Sequence, residues 1–181
     1  MSRLVLINGP PASGKSTIAL SLAQDRPLTL ALEVDAIKHA LGRWDADPSA
    51  SGLHARRLSL ALAGAQLRSG FDVVIGQYLA KTPFIEELEH LSGECRARFH
   101  EFVLDLDAAS LAARLAGRAS NPDRPEHQIN NRLVGPADAA QLVRSLQSLR
   151  ESRPGAVWVD ARGSVAATVG VLRSRLDSPV I

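Results

Sequence analysis

The chain has 181 residues, a length at which one domain buries its own core, and 21 basic against 19 acidic residues leave a formal charge of +2. The basic residues are interleaved with acids, without a cluster of four or more, and only 4% of residues are aromatic, which excludes a dedicated nucleic-acid or membrane-binding surface. The single cysteine, Cys95, excludes an intrachain disulfide and a cysteine-built metal cluster; with no apolar run near the length of a signal core or a membrane span, a soluble, cytoplasmic chain forming one domain over 1–181 is expected.

Leu4 to Ile7 is wholly apolar, as in a strand covered on both faces, and Ser16 to Gln24 has apolar residues at helical spacing. Leu28 to Val34, "LTLALEV", reads as a second strand, and Asp35 to Leu41 as a short helix stopped by Gly42. The stretch "RWDADPSASG" reads as a loop before a long amphipathic helix from His54 to Arg68. Phe71 to Gly76 is a third strand, followed by a helix from Pro83 to Leu91. Arg98 to Leu106 is the fourth, followed by a helix from Ala108 to Gly117 and an exposed segment, "SNPDRPE", punctuated by two prolines. Gln128 to Arg150 is helical with a break at Gly135 and Pro136, "AVWVDA" is the fifth strand, Val165 to Leu176 the closing helix, and "DSPVI" is expected to fray. Five short strands alternating with helices predict an α/β fold of three layers, with a parallel sheet between two layers of helices and a lid at about 118–128.

Between the first strand and the first helix stands "GPPASGKST", which fits G-x-x-x-x-G-K-[ST]. Gly9 and Gly14 flank Pro10, Pro11, Ala12 and Ser13, all small or rigid, so the main chain can curl its amides onto phosphate oxygens at the positive end of the following helix. Lys15 then places an ammonium against the β- and γ-phosphates, Ser16 offers a hydroxyl to Mg²⁺, and Thr17 completes the motif. Lysine is scarce here, with only Lys15, Lys38 and Lys81, so its presence in this loop is informative. ATP and Mg²⁺ are the expected cofactors.

Asp35 closes the second strand at the sheet edge where parallel folds bind ligands. It could take the proton of an attacking hydroxyl or hold a metal-bound water; it could also simply cap the helix that follows. Arg114 and Arg118 lie one helical turn apart, with Arg124 just beyond in the proline-flanked segment. Such a segment can close over ATP and stabilise the transferring phosphoryl group, with Arg124 on that group and Arg118 on the adenine or α-phosphate, unless the arginines belong to a solvated face. Gln77, Tyr78 and Lys81 follow the third strand and either meet the acceptor or form a hydrated loop. His39, Trp44, Asp45, Asp47, His54 and Arg57 are weaker acceptor-side candidates, Asp107 reads first as a helix cap, and His90, His100 and His127 lack metal-ligand spacing.

"LINGPPASGKST", the strand ending "EVD" and the late arginine-bearing segment resemble the small P-loop kinases, especially chloramphenicol phosphotransferase and its tunicamycin-resistance and zeta-toxin-like relatives. The resemblance implies that Asp35 is catalytic or substrate-binding, that the lid arginines lie between Arg114 and Arg124, and that the turn Ala161 to Gly163, with Arg162, borders the adenine. It also implies a small-molecule acceptor, an antibiotic or a metabolite. The departure is the third strand, whose end "VVIGQYLAK" carries no acid; Asp72 stands at its other end. The reading is an ATP-dependent phosphotransferase that acts on a hydroxyl of a small molecule and not on nucleic acid, the alternative being a nucleotide-dependent switch with little transfer.

Overall fold

The computed structural model describes residues 1–120 and 134–177. Its strands are β1 (Arg3–Asn8), β2 (Leu30–Leu32), β3 (Val73–Gln77), β4 (Arg98–Asp105) and β5 (Val157–Asp160). All pair in parallel in the order β2-β3-β1-β4-β5. The helices are α1 (Lys15–Ala23), α2 (Val34–His39), α3 (Pro48–Arg68), α4 (Pro83–Glu94), α5 (Ala108–Ser120), α6 (Ala139–Gln147), α7 (Leu149–Ser152) and α8 (Val165–Asp177). A turn of 3₁₀ helix, Pro136–Asp138, leads into α6 at the break expected from Gly135 and Pro136.

Alternation along β1 builds two cores on one sheet. Val5 and Ile7 point to one face, packed with Ile18 and Leu22 of α1, Leu111 and Leu115 of α5 and Val169 and Leu172 of α8. Leu4 and Leu6 point to the other, against Leu67 of α3, Ile85 and Leu88 of α4 and Leu149 of α7. Leu4, Leu6 and Ile7 are fully buried, which explains why β1 reads as a continuous apolar run: a central parallel strand has no wet face. Three layers follow, and the sheet's carboxyl edge collects the loops after β1, β2, β3 and β4.

Two elements differ from expectation. The second strand shrinks to three residues, because Leu28 has φ 60 and cannot be extended, and because Val34, 4% exposed, is buried as the first residue of α2. The long helix starts at Pro48 and not at His54: the Asp47 carboxylate accepts from the amides of Ser49 and Ala50, at 3.1 and 3.0 Å, and proline suits the first helical position. The "DP" pair was therefore a helix start inside a stretch that reads as a loop. No helix among the described residues is long and apolar enough to cross a membrane.

Candidate functional site

The loop from Gly9 to Gly14 links β1 to α1 at the carboxyl edge. Gly9 has no room for a side chain, since a Cβ there would lie 2.7 Å from Ser13 Oγ and 3.2 Å from Leu104. Ala12 and Gly14 both have left-handed backbones, φ 64 and φ 90. Glycine adopts this readily, whereas in alanine it costs about 1 kcal/mol, a strain of the sort found where a loop is shaped for a ligand. This curl brings successive amides together as an anion-binding concavity. α1 opens without a side-chain cap, so no side chain occupies its first amides. The Ser13 hydroxyl is also buried without a hydrogen-bond partner.

Lys15 opens α1, and its Nζ donates to the Pro10 carbonyl at 3.3 Å. Burial, reinforced by the nearby Arg118 guanidinium, pushes its pKa down to about 8, while Asp35 and Glu33 pull the other way. A half-buried ammonium of this kind is stabilised by any phosphate that reaches it. Asp35 is exposed in the first turn of α2, within electrostatic reach of Lys15. It is not the cap that the sequence allowed, since the N-cap is Glu33. Glu33, a second carboxylate acting on Lys15, was missed, although "EVD" holds both.

Two further residues escaped the sequence reading. Asn8, fully buried at the end of β1, receives the Leu79 amide at 2.9 Å and donates to the Leu79 carbonyl at 2.8 Å. This pins the segment after β3 beside the phosphate loop. Gly76 lies where a Cβ would approach the Lys15 carbonyl oxygen to 3.0 Å and the Ser16 amide to 3.4 Å. The first turn of α1 therefore rests directly on β3, and a side chain at 76 would push it away. The "NG" at 8–9 and the strand-interior glycine in "VVIGQ" were the available signals.

The arginines divide. Arg118 lies near Lys15, its own pKa lowered by burial. Arg114 points its guanidinium at main-chain carbonyls of Ser13, Ala161 and Gly163, at 3.1, 2.7 and 2.8 Å. Arg162 folds back onto Asp160 in a forked pair at 2.9 and 2.7 Å, which holds the Asp160 carboxyl down at about 2. Arg124, His127, most of the expected lid and residues 128–133 of the expected helix lie outside the described residues, as does the end of "DSPVI".

Among the acceptor-side candidates, Tyr78 reaches away to Ser145 of α6 at 2.7 Å and packs against both cores, so it ties elements together. Gln77 ends β3 beside Asn8, and Lys81 is exposed on the following loop. The rings of His39 and Trp44 meet at a 51° tilt with centroids 4.5 Å apart, and the Lys38 ammonium lies 5.2 Å from the indole. Asp45, His54 and Arg57 are exposed. Asp105 pairs with Arg150 at 3.0 Å, and Asp107 accepts from the Ser110 amide at 2.8 Å, as a cap does. No group of three or more metal-ligating side chains occurs among the described residues.

A left-handed phosphate loop between a central parallel strand and a helix, in a sheet of order 2-3-1-4-5, defines the P-loop kinase-like fold. Residues 4–133 match the family model for the AAA domain (AAA_33), and the chain belongs to that family. Solved structures share the fold along nearly the whole chain. The tunicamycin resistance protein of Deinococcus radiodurans is 16% identical, covering 99% of this chain and 98% of its own, with a TM-score of 0.66. A sugar kinase from Janibacter sp. is 19% identical, over 98% and 95%, at 0.62. A gluconokinase from Sinorhizobium meliloti is 19% identical, over 96% and 95%, at 0.61. No curated protein sequence matches the chain.

Proposed function

We propose that the protein transfers the γ-phosphoryl group of ATP to a hydroxyl of a small organic molecule. The observation that carries this reading is Lys15: an ammonium held at a pKa of about 8 by burial, beside a curled loop and within reach of the Asp35 carboxylate. The amides of Ala12 and Gly14 and of the first turn of α1 would cradle the phosphates, and Lys15 would bridge the β- and γ-groups.

Asp35, exposed in the first turn of α2, would accept the proton of the acceptor hydroxyl. The acceptor oxygen then bonds to the γ-phosphorus, the bond from that phosphorus to the β–γ bridging oxygen breaks, and ADP leaves with the electron pair. Arg118, and Arg124 from the segment after α5, would stabilise charge on the transferring group. The Ser16 hydroxyl, with Asp35 and Glu33 close to Lys15, supplies the hard oxygen donors that suit Mg²⁺, which neutralises phosphate charge when bound.

The likeness to a gluconokinase, a sugar kinase and a tunicamycin resistance protein supports a hydroxylated metabolite or antibiotic as the acceptor class. The test is incubation with Mg·ATP and pooled sugars, sugar acids and hydroxylated antibiotics. The expected result is a product heavier by one phosphate and equimolar ADP, neither formed by Lys15→Ala. ADP release without any phosphorylated organic product would favour the switch reading, in which the missing acid at the end of β3 has its consequence.

A further inference from the structure

We propose that Arg114 is a positioning residue that sets the shape of the phosphate loop through the main chain, and not a contact to the nucleotide base. The inference rests on the phosphate-binding reading of that loop and deepens it. Arg114 lies on α5, distant in sequence from both segments it joins. Its Nη1 donates to the Ser13 carbonyl at 3.1 Å, and its Nη2 to the carbonyls of Ala161 at 2.7 Å and Gly163 at 2.8 Å, with Arg162 at 3.3 Å. One guanidinium thus ties the β1–α1 loop to the β5–α8 turn.

The Ser13 carbonyl is an informative choice of acceptor. It shares a rigid, planar peptide unit with the Gly14 amide. Gly14 is left-handed, and Ala12, on the other side of Ser13, is left-handed too, so this stretch departs most from relaxed backbone. Holding the Ser13 oxygen therefore fixes the direction in which the Gly14 N–H points, and that amide belongs to the concavity that would grip phosphate. A second contact supports the same alignment: a Cβ at Gly14 would lie 3.0 Å from the Val165 side chain at the start of α8, so turn and loop already pack closely there. Lysine replaces this group poorly, because its donors share one nitrogen, whereas Arg114 uses two separate nitrogens of a planar fork to reach carbonyls on two segments.

Positioning and base contact predict different results for a ligand that has no base. Inorganic tripolyphosphate with magnesium, and Mg·ATP in parallel, would be titrated calorimetrically into the wild-type chain, Arg114→Lys and Arg114→Ala. Circular dichroism and the melting midpoint would verify folding, and Arg114→Lys would keep the test decisive if the alanine variant fails to fold. The expected result is a loss of about tenfold in tripolyphosphate affinity in the lysine variant, together with a displaced Gly14 amide resonance in the ligand-free protein. Tripolyphosphate affinity within threefold of wild type would overturn the inference, whatever happens to ATP. Wild-type protein that binds neither ligand would instead overturn the phosphate-loop reading itself, and the inference with it.

Discussion

The two edges of the sheet use the same residue types for opposite ends. At the amino edge Asp72 is 3% exposed yet fully engaged, accepting the Arg3 amide at 2.9 Å and the side chains of Arg3 and Arg26 at 2.8 Å each. Glu101 of β4 is also buried, and Arg153 grips its Oε2 at 2.9 and 2.8 Å while reaching Glu89 as well, although Oε1 is left without a partner. At the carboxyl edge a half-buried lysine has its pKa lowered, a serine hydroxyl has no partner, and an alanine is held left-handed. Charges that satisfy one another build structure. Groups left unsatisfied around a curled backbone are arranged for a ligand.

Exchanging the roles of the edges should break each in its own way. The largest effect belongs to Lys15→Ala, which should lower phosphoryl transfer by a hundredfold or more, since one charge-stabilising donor is worth about 3 kcal/mol of barrier. Its melting midpoint should not fall, because removing a desolvated ammonium relieves a cost. Asp35→Asn should reduce turnover by about a hundredfold while nucleotide affinity stays within threefold, as loss of a general base does, measured by steady-state kinetics alongside calorimetry. Asp72→Ala should do the reverse: about 3 kcal/mol of stability lost in urea unfolding, with activity per folded molecule unchanged, because two arginines lose a buried partner far from the loop. The smallest effect is expected for Arg162→Ala, with no resolvable change in melting midpoint or turnover, since its forked pair with Asp160 is exposed to solvent.

The amino edge was legible only by exclusion, Asp72 standing at the wrong end of its strand for catalysis. The loop was legible outright, because a phosphate cradle demands glycines, a lysine and a hydroxyl at fixed spacing, and the layered parallel sheet followed from alternation of apolar runs with helices, although its strand order did not. What sequence could not supply were roles made by long-range contact. Nothing in "ARLAGR" tells that Arg114 reaches backbone carbonyls on two other segments. Nor does "LING" announce that Asn8 clamps a peptide 71 residues away. Asp35 was located at the right edge and in the helix that contains it; what was misplaced was the start of that helix, because Val34 looks like a strand residue until its burial as the first helical residue is seen.

The central claim is that Lys15 is a desolvated cation awaiting phosphate. Its pKa of about 8 lies below the ordinary lysine value of 10.5, so in the ligand-free protein the group loses its proton as pH rises through 8, and a bound phosphate, favouring the charged form, draws the proton back. Below that pH, nucleotide affinity should be insensitive to this group; above it, affinity should fall. Calorimetry of Mg·ATP binding at pH 8.5, in two buffers of different ionisation enthalpy, measures the proton directly. The account predicts uptake of more than about half a proton per site, abolished in Lys15→Met. No binding, or binding with the same proton balance in both proteins, would contradict it.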